Sequence, residues 1–227
     1  MALCIAVDGP VGAGKTTICD EVSKKLRIPH LDTGAMYRAA AVAVLRAGVD
    51  IKNETEAIEI CSHVNIDVKY NGLEQITLLD GQNVNSNIRS EEVSMAASLI
   101  STYPEVRHMM VELQRRIAGN QDILVDGRDI CTRVLPNATV KIFLTASSEE
   151  RARRRWKQLS ENGQETTYET VLRDLLARDK QDMNRTVDPL CKAEDAVLVD
   201  TTDMSFEESV QHLLKIINLK HKAANII

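Results

Sequence analysis

The chain has no basic surplus: its 227 residues hold 28 Lys and Arg against 33 Asp and Glu, a formal net charge of -5. That balance argues against a general nucleic-acid binder or a binder of anionic membranes, whose domains carry excess positive charge. Any basic cluster is then local. The 5 cysteines, Cys4, Cys19, Cys61, Cys131 and Cys191, are odd in number and never stand in C-x-x-C spacing. Neither a disulfide framework nor a zinc site is suggested, and free thiols are the default reading. No apolar stretch approaches the ~20 residues of a membrane span. The first strand-like run follows the N-terminus almost at once, with no charged leader or cleavage site, so the expected location is cytoplasmic. No internal repeat or low-complexity tract is evident. Nor does a long exposed apolar stripe announce an interface, which makes a monomer the expectation.

What remains is an ordinary globular composition, 44% apolar and 27% charged. The length allows one substantial core with excursions, or two small domains. Short apolar runs at 3–8, 28–31, 123–126, 139–145 and 196–200 alternate with helical patterns. This alternation predicts an α/β fold with a parallel sheet covered by helices. Ser147 with Glu150, Thr166 with Glu169 and Ser205 with Glu208 have the capping-box spacing that satisfies orphan N–H groups at a helix start. One segment breaks the pattern. Val64, Ile66, Val68 and Tyr70 alternate with polar residues, Asn71-Gly72 follows, Ile76 and Leu78 alternate again, and Asp80-Gly81 precedes 82–85. Two such turns between period-two runs predict a small antiparallel meander, inserted at the sheet edge. It is either a simple edge hairpin or an excursion that holds a second substrate.

Gly9-Pro10-Val11-Gly12-Ala13-Gly14-Lys15-Thr16 is a complete G-x-x-x-x-G-K-[ST] loop, entered by the apolar run at 3–7 and left by a helix-compatible stretch at 17–26. In that context it reads as a nucleotide phosphate cradle. Backbone N–H groups turn inward onto phosphate oxygens, the helix adds its positive end, Lys15 reaches the terminal phosphates and the Thr16 hydroxyl can coordinate Mg²⁺. The loop alone fits a GTPase switch, an ATP-driven motor, a binding module or a small-molecule kinase. The arginines discriminate. Arg38, Arg89, Arg107, Arg128, Arg133, the cluster at 151–155, Arg178 and Arg185 recur in an acidic protein. Singly each is compatible with a solvated charge. Together they suit a phosphate acceptor, which needs no general base but does need permanent cations against the repulsion of two anionic substrates. Arg151, Arg154 and Arg155 share one helix face by spacing, the pattern of a basic flap ahead of a break at 161–163, or of a solvent-facing basic helix. Asp182 and Arg185 stand one helical turn apart, so both can face one ligand.

The motifs Asp8-Gly9-Pro10-x-Gly12-Ala13-Gly14-Lys15, Leu31-Asp32-Thr33-Gly34-Ala35-Met36-Tyr37-Arg38, Asp126-Gly127-Arg128-Asp129 and Arg178-x-x-x-Asp182-x-Asn184-Arg185 resemble those of bacterial cytidylate kinases, in order and spacing, over 3–219. The resemblance implies transfer of a phosphoryl group from ATP, with Mg²⁺, to CMP or dCMP. It implies a P-loop core with a five-stranded parallel sheet (1–33, 108–150, 169–227), a monophosphate-binding region (34–107) carrying the insert near 64–85, and a helical lid (151–168). By that carry-over, the cradle from Gly9 to Thr17 holds the ATP phosphates, and Arg38, Arg128 and Arg185 face the acceptor phosphate. Thr33 and Tyr37 shape the acceptor site, Ser98, Arg107 and Asp129 read the cytosine, and Arg178 and Asp182 lie near the ribose. Lys15, Arg128, Arg185 and the lid residue Arg154 are the catalytic candidates. Two positions depart from the family pattern: Cys131 where glycine is common and Arg133 where an apolar residue is usual. The thiol reads as an inert semi-buried group. Fraying is the expectation for the tail at 220–227.

Overall fold

The structure, a computed structural model, describes residues 2–161 and 163–224. Asn162, in the expected helix break, and the tail end at 225–227 lie outside the described residues. The five apolar runs form one parallel sheet. Its strands are β1 (Cys4–Asp8), β2 (His30–Asp32), β6 (Ile123–Gly127), β7 (Val140–Thr145) and β8 (Val197–Asp200), in the spatial order β2-β6-β1-β7-β8. Every pairing is parallel. The strands are apolar throughout because both faces are covered. Ile5 and Val7 pack with Ile18, Val22, Leu213 and Ile217, from α1 (Lys15–Leu26) and α8 (Phe206–Ala224). Ala6 faces the opposite layer with Met36 and Ala40, from α2 (Thr33–Ala47), and Met110 and Val111, from α5 (Pro104–Ala118). Each such fully buried Ile or Leu contributes about 1.5–3 kcal/mol on leaving water, several times the tenths separating helix propensities, so packing on the sheet holds the helices.

The meander forms as read. β3 (Ile66–Asn71), β4 (Glu74–Leu79) and β5 (Gln82–Asn83) make a separate antiparallel sheet in the order β3-β4-β5. The first turn is displaced by one residue from the expectation: Asn71 pairs with Glu74, so the loop is Gly72-Leu73, with positive φ at Gly72. Asp80 and Gly81 both take positive φ, the I′ geometry that suits strand twist. The insert lies after the edge strand β2, joined to it by the Gln75 side chain, whose Oε1 accepts from Asp32 N–H at 2.8 Å. α3 (Glu54–His63) precedes it and α4 (Glu91–Ile100) follows. α8 extends to Ala224, so residues 220–224 of the tail are helical in the structure.

Between β7 and β8 lie α6 (Ser148–Glu161) and α7 (Tyr168–Asn184). Ser147 caps α6 by accepting the Glu150 N–H, but Glu150 turns to Arg153 and Arg154 instead of closing the box. Ser205 and Glu208 form the full reciprocal pair. The third cap is off by one: Thr167, not Thr166, accepts the N–H of Thr170, because the Thr166 carbonyl accepts from the Trp156 indole. Thr167→Ala is therefore expected to cost about 1 kcal/mol in urea unfolding and Thr166→Ala under about half of that; equal costs would place the cap wrongly.

Candidate active site

Three neighbouring strands end on acids at one edge of the sheet: β1 on Asp8, β2 on Asp32 and β6 on Asp126-Gly127. Asp32 stands opposite Asp126, and Asp8 opposite Gly127. Chain connections leave to either side here, the crevice where open α/β sheets bind ligands. Each acid organises one segment of the site. Asp8, fully buried, accepts the N–H groups of Ile130 at 2.8 Å and Cys131 at 2.7 Å. These bonds fix a π-helical turn, Ile130–Val134, closed by Val134 N–H to Asp129 O and Leu135 N–H to Ile130 O. Asp32 caps α2 through Ala35 N–H and pairs with Arg38 at 2.7 Å. Asp126 accepts from the Thr16 hydroxyl at 3.2 Å and from His30 Nε2 at 2.8 Å, while its backbone carbonyl accepts from Thr33 at 2.7 Å.

The phosphate loop runs from β1 into α1. Gly12 and Gly14 hold positive φ, and Gly14 is the N-cap residue. A Cβ at Gly9 would collide with the Leu144 carbonyl, so only glycine lets the loop lie against β7. α1 starts at Lys15, two residues before the expected start, because the left-handed Gly14 already turns the chain into helix. Lys15 is buried, with Nζ donating to Gly9 O at 2.8 Å and Pro10 O at 2.9 Å. Burial, and then the nearby Arg128, lower its pKa to about 7. Burial raises Asp8 to about 6. Val11 contributes its carbonyl to Arg151, and Ala13 is buried beneath the loop.

Beside the loop lies a connected network of buried charge. Asp129 is gripped by Arg107 of α5 and by Arg185, 3.4 Å away, the residue that ends α7. Arg185 also lies 3.8 Å from Asp182, and Arg128 binds Asp182 at 2.9 Å. Burial acts to raise Asp182, but Arg128 and Arg185 outweigh it and hold the acid below its ordinary range. The Tyr37 ring lies 6.0 Å from the Arg107 guanidinium. Ser98 of α4 joins through Gln181, which donates to its carbonyl at 2.7 Å and its hydroxyl at 3.2 Å. Arg178, one turn before Asp182 on α7, has a buried Nε with no hydrogen-bond partner among the described residues, and burial and the adjacent Arg128 lower its pKa.

The structure thus gathers Tyr37, Arg107, Arg128, Asp129, Asp182 and Arg185 into one network, with Ser98 and Arg178 at its border and Thr33 and Arg38 on the β2–α2 side. Asp129 does not pair with its neighbour Arg128, the partner that sequence proximity suggests, because Arg128 turns to Asp182. The three arginines of α6 do not act as one face either. Arg151 is buried against Val11 O and Asp179, Arg154 binds Glu150 and the Thr201 carbonyl, and Arg155 reaches Glu91 of α4. The helix carrying them begins at Ser148, so the expected lid boundary at 151 cuts through continuous helix. Sequence reasoning missed Asp188, which pairs with Arg107 and Arg133 at 3.6 Å each and whose carbonyl accepts from Arg185 Nε at 2.7 Å. It also missed His30, Asp20 and Gln181. Only Asp188, next to a proline in a loop, carried a local signal of special backbone; its φ is 47°.

A sequence model of the cytidylate kinase family matches residues 5–219. The chain is 47% identical over 218 residues to the cytidylate kinase of Desulfitobacterium hafniense (strain Y51), covering 96% of this chain and 94% of that protein. It is 46% identical over 217 residues to that of Clostridioides difficile (strain 630), covering 96% and 99%. A phosphate loop, a second cation-lined site beside it and this similarity along nearly the whole length agree: the chain belongs to the cytidylate kinase family and is a nucleoside monophosphate phosphotransferase.

Proposed function

We propose that the chain transfers the γ-phosphoryl group of ATP, with Mg²⁺, to CMP or dCMP, giving CDP or dCDP and ADP. The observation that carries this reading is the buried Arg107–Asp129 pair beside the Tyr37 ring. Cytosine presents an amino donor at N4 and acceptors at N3 and O2. An ionised Asp129 accepts from the amino group and Arg107 donates to the acceptors. Uracil presents the reverse at N3 and position 4, leaving both buried groups mispaired, a mismatch worth on the order of 10⁴ in kcat/KM. Arg38, Arg128 and Arg185 hold the acceptor phosphate, Thr33 and Tyr37 shape its surroundings, Ser98 adds a polar contact to the base, and Arg178 and Asp182 sit toward the ribose.

On the donor side, the N–H groups of Gly9 to Thr17 and the start of α1 receive the ATP phosphates. Lys15 exchanges its carbonyl partners for phosphate oxygens. Thr16 and Asp126 offer only oxygen donors at one end of the loop, the chemistry that suits a hard divalent cation completing its shell with phosphates and water. Magnesium, when bound, neutralises charge on the phosphate oxygens. The 1–33, 108–150 and 169–227 segments then act as the core, 34–107 as the acceptor region and 151–168 as the lid. Arg154 must leave Glu150 and Thr201 to reach the migrating group, which requires a lid movement.

A steady-state survey of acceptors with MgATP tests the reading: CMP and dCMP are turned over, and UMP, AMP and GMP are slower by on the order of 10²–10⁴ in kcat/KM. Faster turnover of UMP or AMP than of CMP would defeat it. Arg38→Ala is expected to weaken CMP binding about tenfold or more while leaving ATP affinity near its original value. Lys15→Ala lowers kcat by about 10²–10³ with little change in thermal unfolding; a change of only a few-fold would mean that the transfer site lies elsewhere.

Lys15 also gives a pH dependence with a defined sign. Its pKa near 7 leaves it partly neutral above that pH, and a bound polyanion favours the ammonium form. ATP binding at pH 8 therefore takes up a proton, and affinity falls as pH rises from 7 to 9. Calorimetry in buffers of different ionisation enthalpy reads the uptake, and the permanently charged Lys15→Arg variant should lose it. Equal uptake in both proteins would assign the proton to another group.

A further inference from the structure

His30 is a buried histidine on the edge strand, 3% exposed, and it belongs to none of the motifs that define the site. Both of its ring nitrogens face carboxylates. Nδ1 meets Asp20 of α1, and Nε2 meets Asp126 Oδ1 at 2.8 Å. An ionised carboxylate only accepts, so a ring bonded to one on each side donates from both nitrogens and carries charge. The line continues inward, because the second oxygen of Asp126, Oδ2, accepts from the Thr16 hydroxyl at 3.2 Å. Asp126 thus spends one oxygen on His30 and the other on Thr16. Among the described residues these are the only hydrogen bonds its side chain makes.

The arrangement has a chemical consequence for Thr16. A hydroxyl that donates its proton to Asp126 turns its lone pairs the other way, and only lone pairs bind a cation. An Asp126 free to rotate would leave the hydroxyl free to rotate with it. An apolar side chain at position 30 would fill the space and leave Asp126 Oδ1 buried without a donor. Asp20, with its side chain half exposed, anchors the outer end of the strut from the same helix that starts at the phosphate loop.

We propose that His30 is a positioning residue for the magnesium side of the donor site: clamped between Asp20 and Asp126, it holds the Asp126 carboxylate so that the Thr16 hydroxyl presents its lone pairs to the nucleotide's cation. The proposal rests on the reading of this site as the ATP donor site.

The test titrates the full chain with ATP by calorimetry, once with excess magnesium chloride and once in EDTA, so that the ratio of the two affinities gives the gain due to magnesium. Outer-shell partners of metal sites are typically worth 10–100-fold in metal affinity or activity, so His30→Leu should cut that gain by about tenfold or more. His30→Gln, whose amide can still donate to Asp126, should keep most of it. Asp20→Ala, at a half-exposed helix position, should lose part of it by several-fold and serves where His30→Leu does not fold. The magnesium concentration for half-maximal turnover should rise in the same order, with KM for CMP changed by less than about twofold. Variants that fold and keep the full magnesium gain would overturn the positioning role. A wild-type chain whose ATP affinity gains nothing from magnesium and which phosphorylates no CMP would overturn the donor-site reading, and this proposal with it.

Discussion

Asp129 lies buried between the guanidinium groups of Arg107 and Arg185, and the elements around it are arranged to keep it there. An unpaired carboxylate at that depth would cost several kcal/mol in lost hydration. The pairing therefore fixes where α5 and the end of α7 lie, since each supplies one of the two cations. Arg128, the sequence neighbour of Asp129, binds Asp182 instead. A guanidinium has five donors; Arg107 spends its terminal nitrogens on Asp129 and Ser101 O, and its Nε lies 3.6 Å from the Asp188 carboxylate, with no hydrogen bond among the described residues.

The two departures from the family pattern fall beside this pair and leave it intact. Cys131 offers its backbone N–H to Asp8, and its buried thiol lies by the carbonyls of Ala6 and Ile142. Burial and the adjacent Asp8 push that thiol far above its ordinary range, so it stays protonated and inert. Arg133 is nearly half exposed and reaches Asp188 at only 3.6 Å; a pair of that kind is worth about 1 kcal/mol or less. The backbone at Asp129 is set by Asp8 from beneath, and neither side chain alters that support.

The core strands, the meander and the phosphate loop were readable in the sequence because each rests on local periodicity or a compact motif. Ile5 and Val7 against Ala6 already show which faces are covered. The cap at Thr167 was misplaced by one residue because Thr166 carries the same hydroxyl and stands three residues before Glu169, whereas in the structure Thr167 accepts the Thr170 N–H and the Thr166 carbonyl accepts from the Trp156 indole. Partners were the hardest part. Nothing local distinguishes Arg128, which binds an acid 54 positions away, from an arginine that pairs with its neighbour. His30 was equally silent, because a histidine within an apolar run reads as core until two acids from other elements are found against it.

One helix touches both halves of the chemistry. On α7, Asp179 binds Arg151, whose guanidinium also holds the Val11 carbonyl of the phosphate loop. Three residues on, Asp182 binds Arg128 in the acceptor network, and the preceding Gln181 holds Ser98 of α4. α7 is therefore tied both to the phosphate loop and to the Arg128–Asp182 pair. Arg155, reaching from α6 to Glu91, adds a direct tie between α6 and α4. Phosphoryl transfer depends on placing two anions within reach of each other, and most of its barrier is met by positioning. Successive turns of one helix thus set the position of the phosphate loop relative to the Arg128–Asp182 pair.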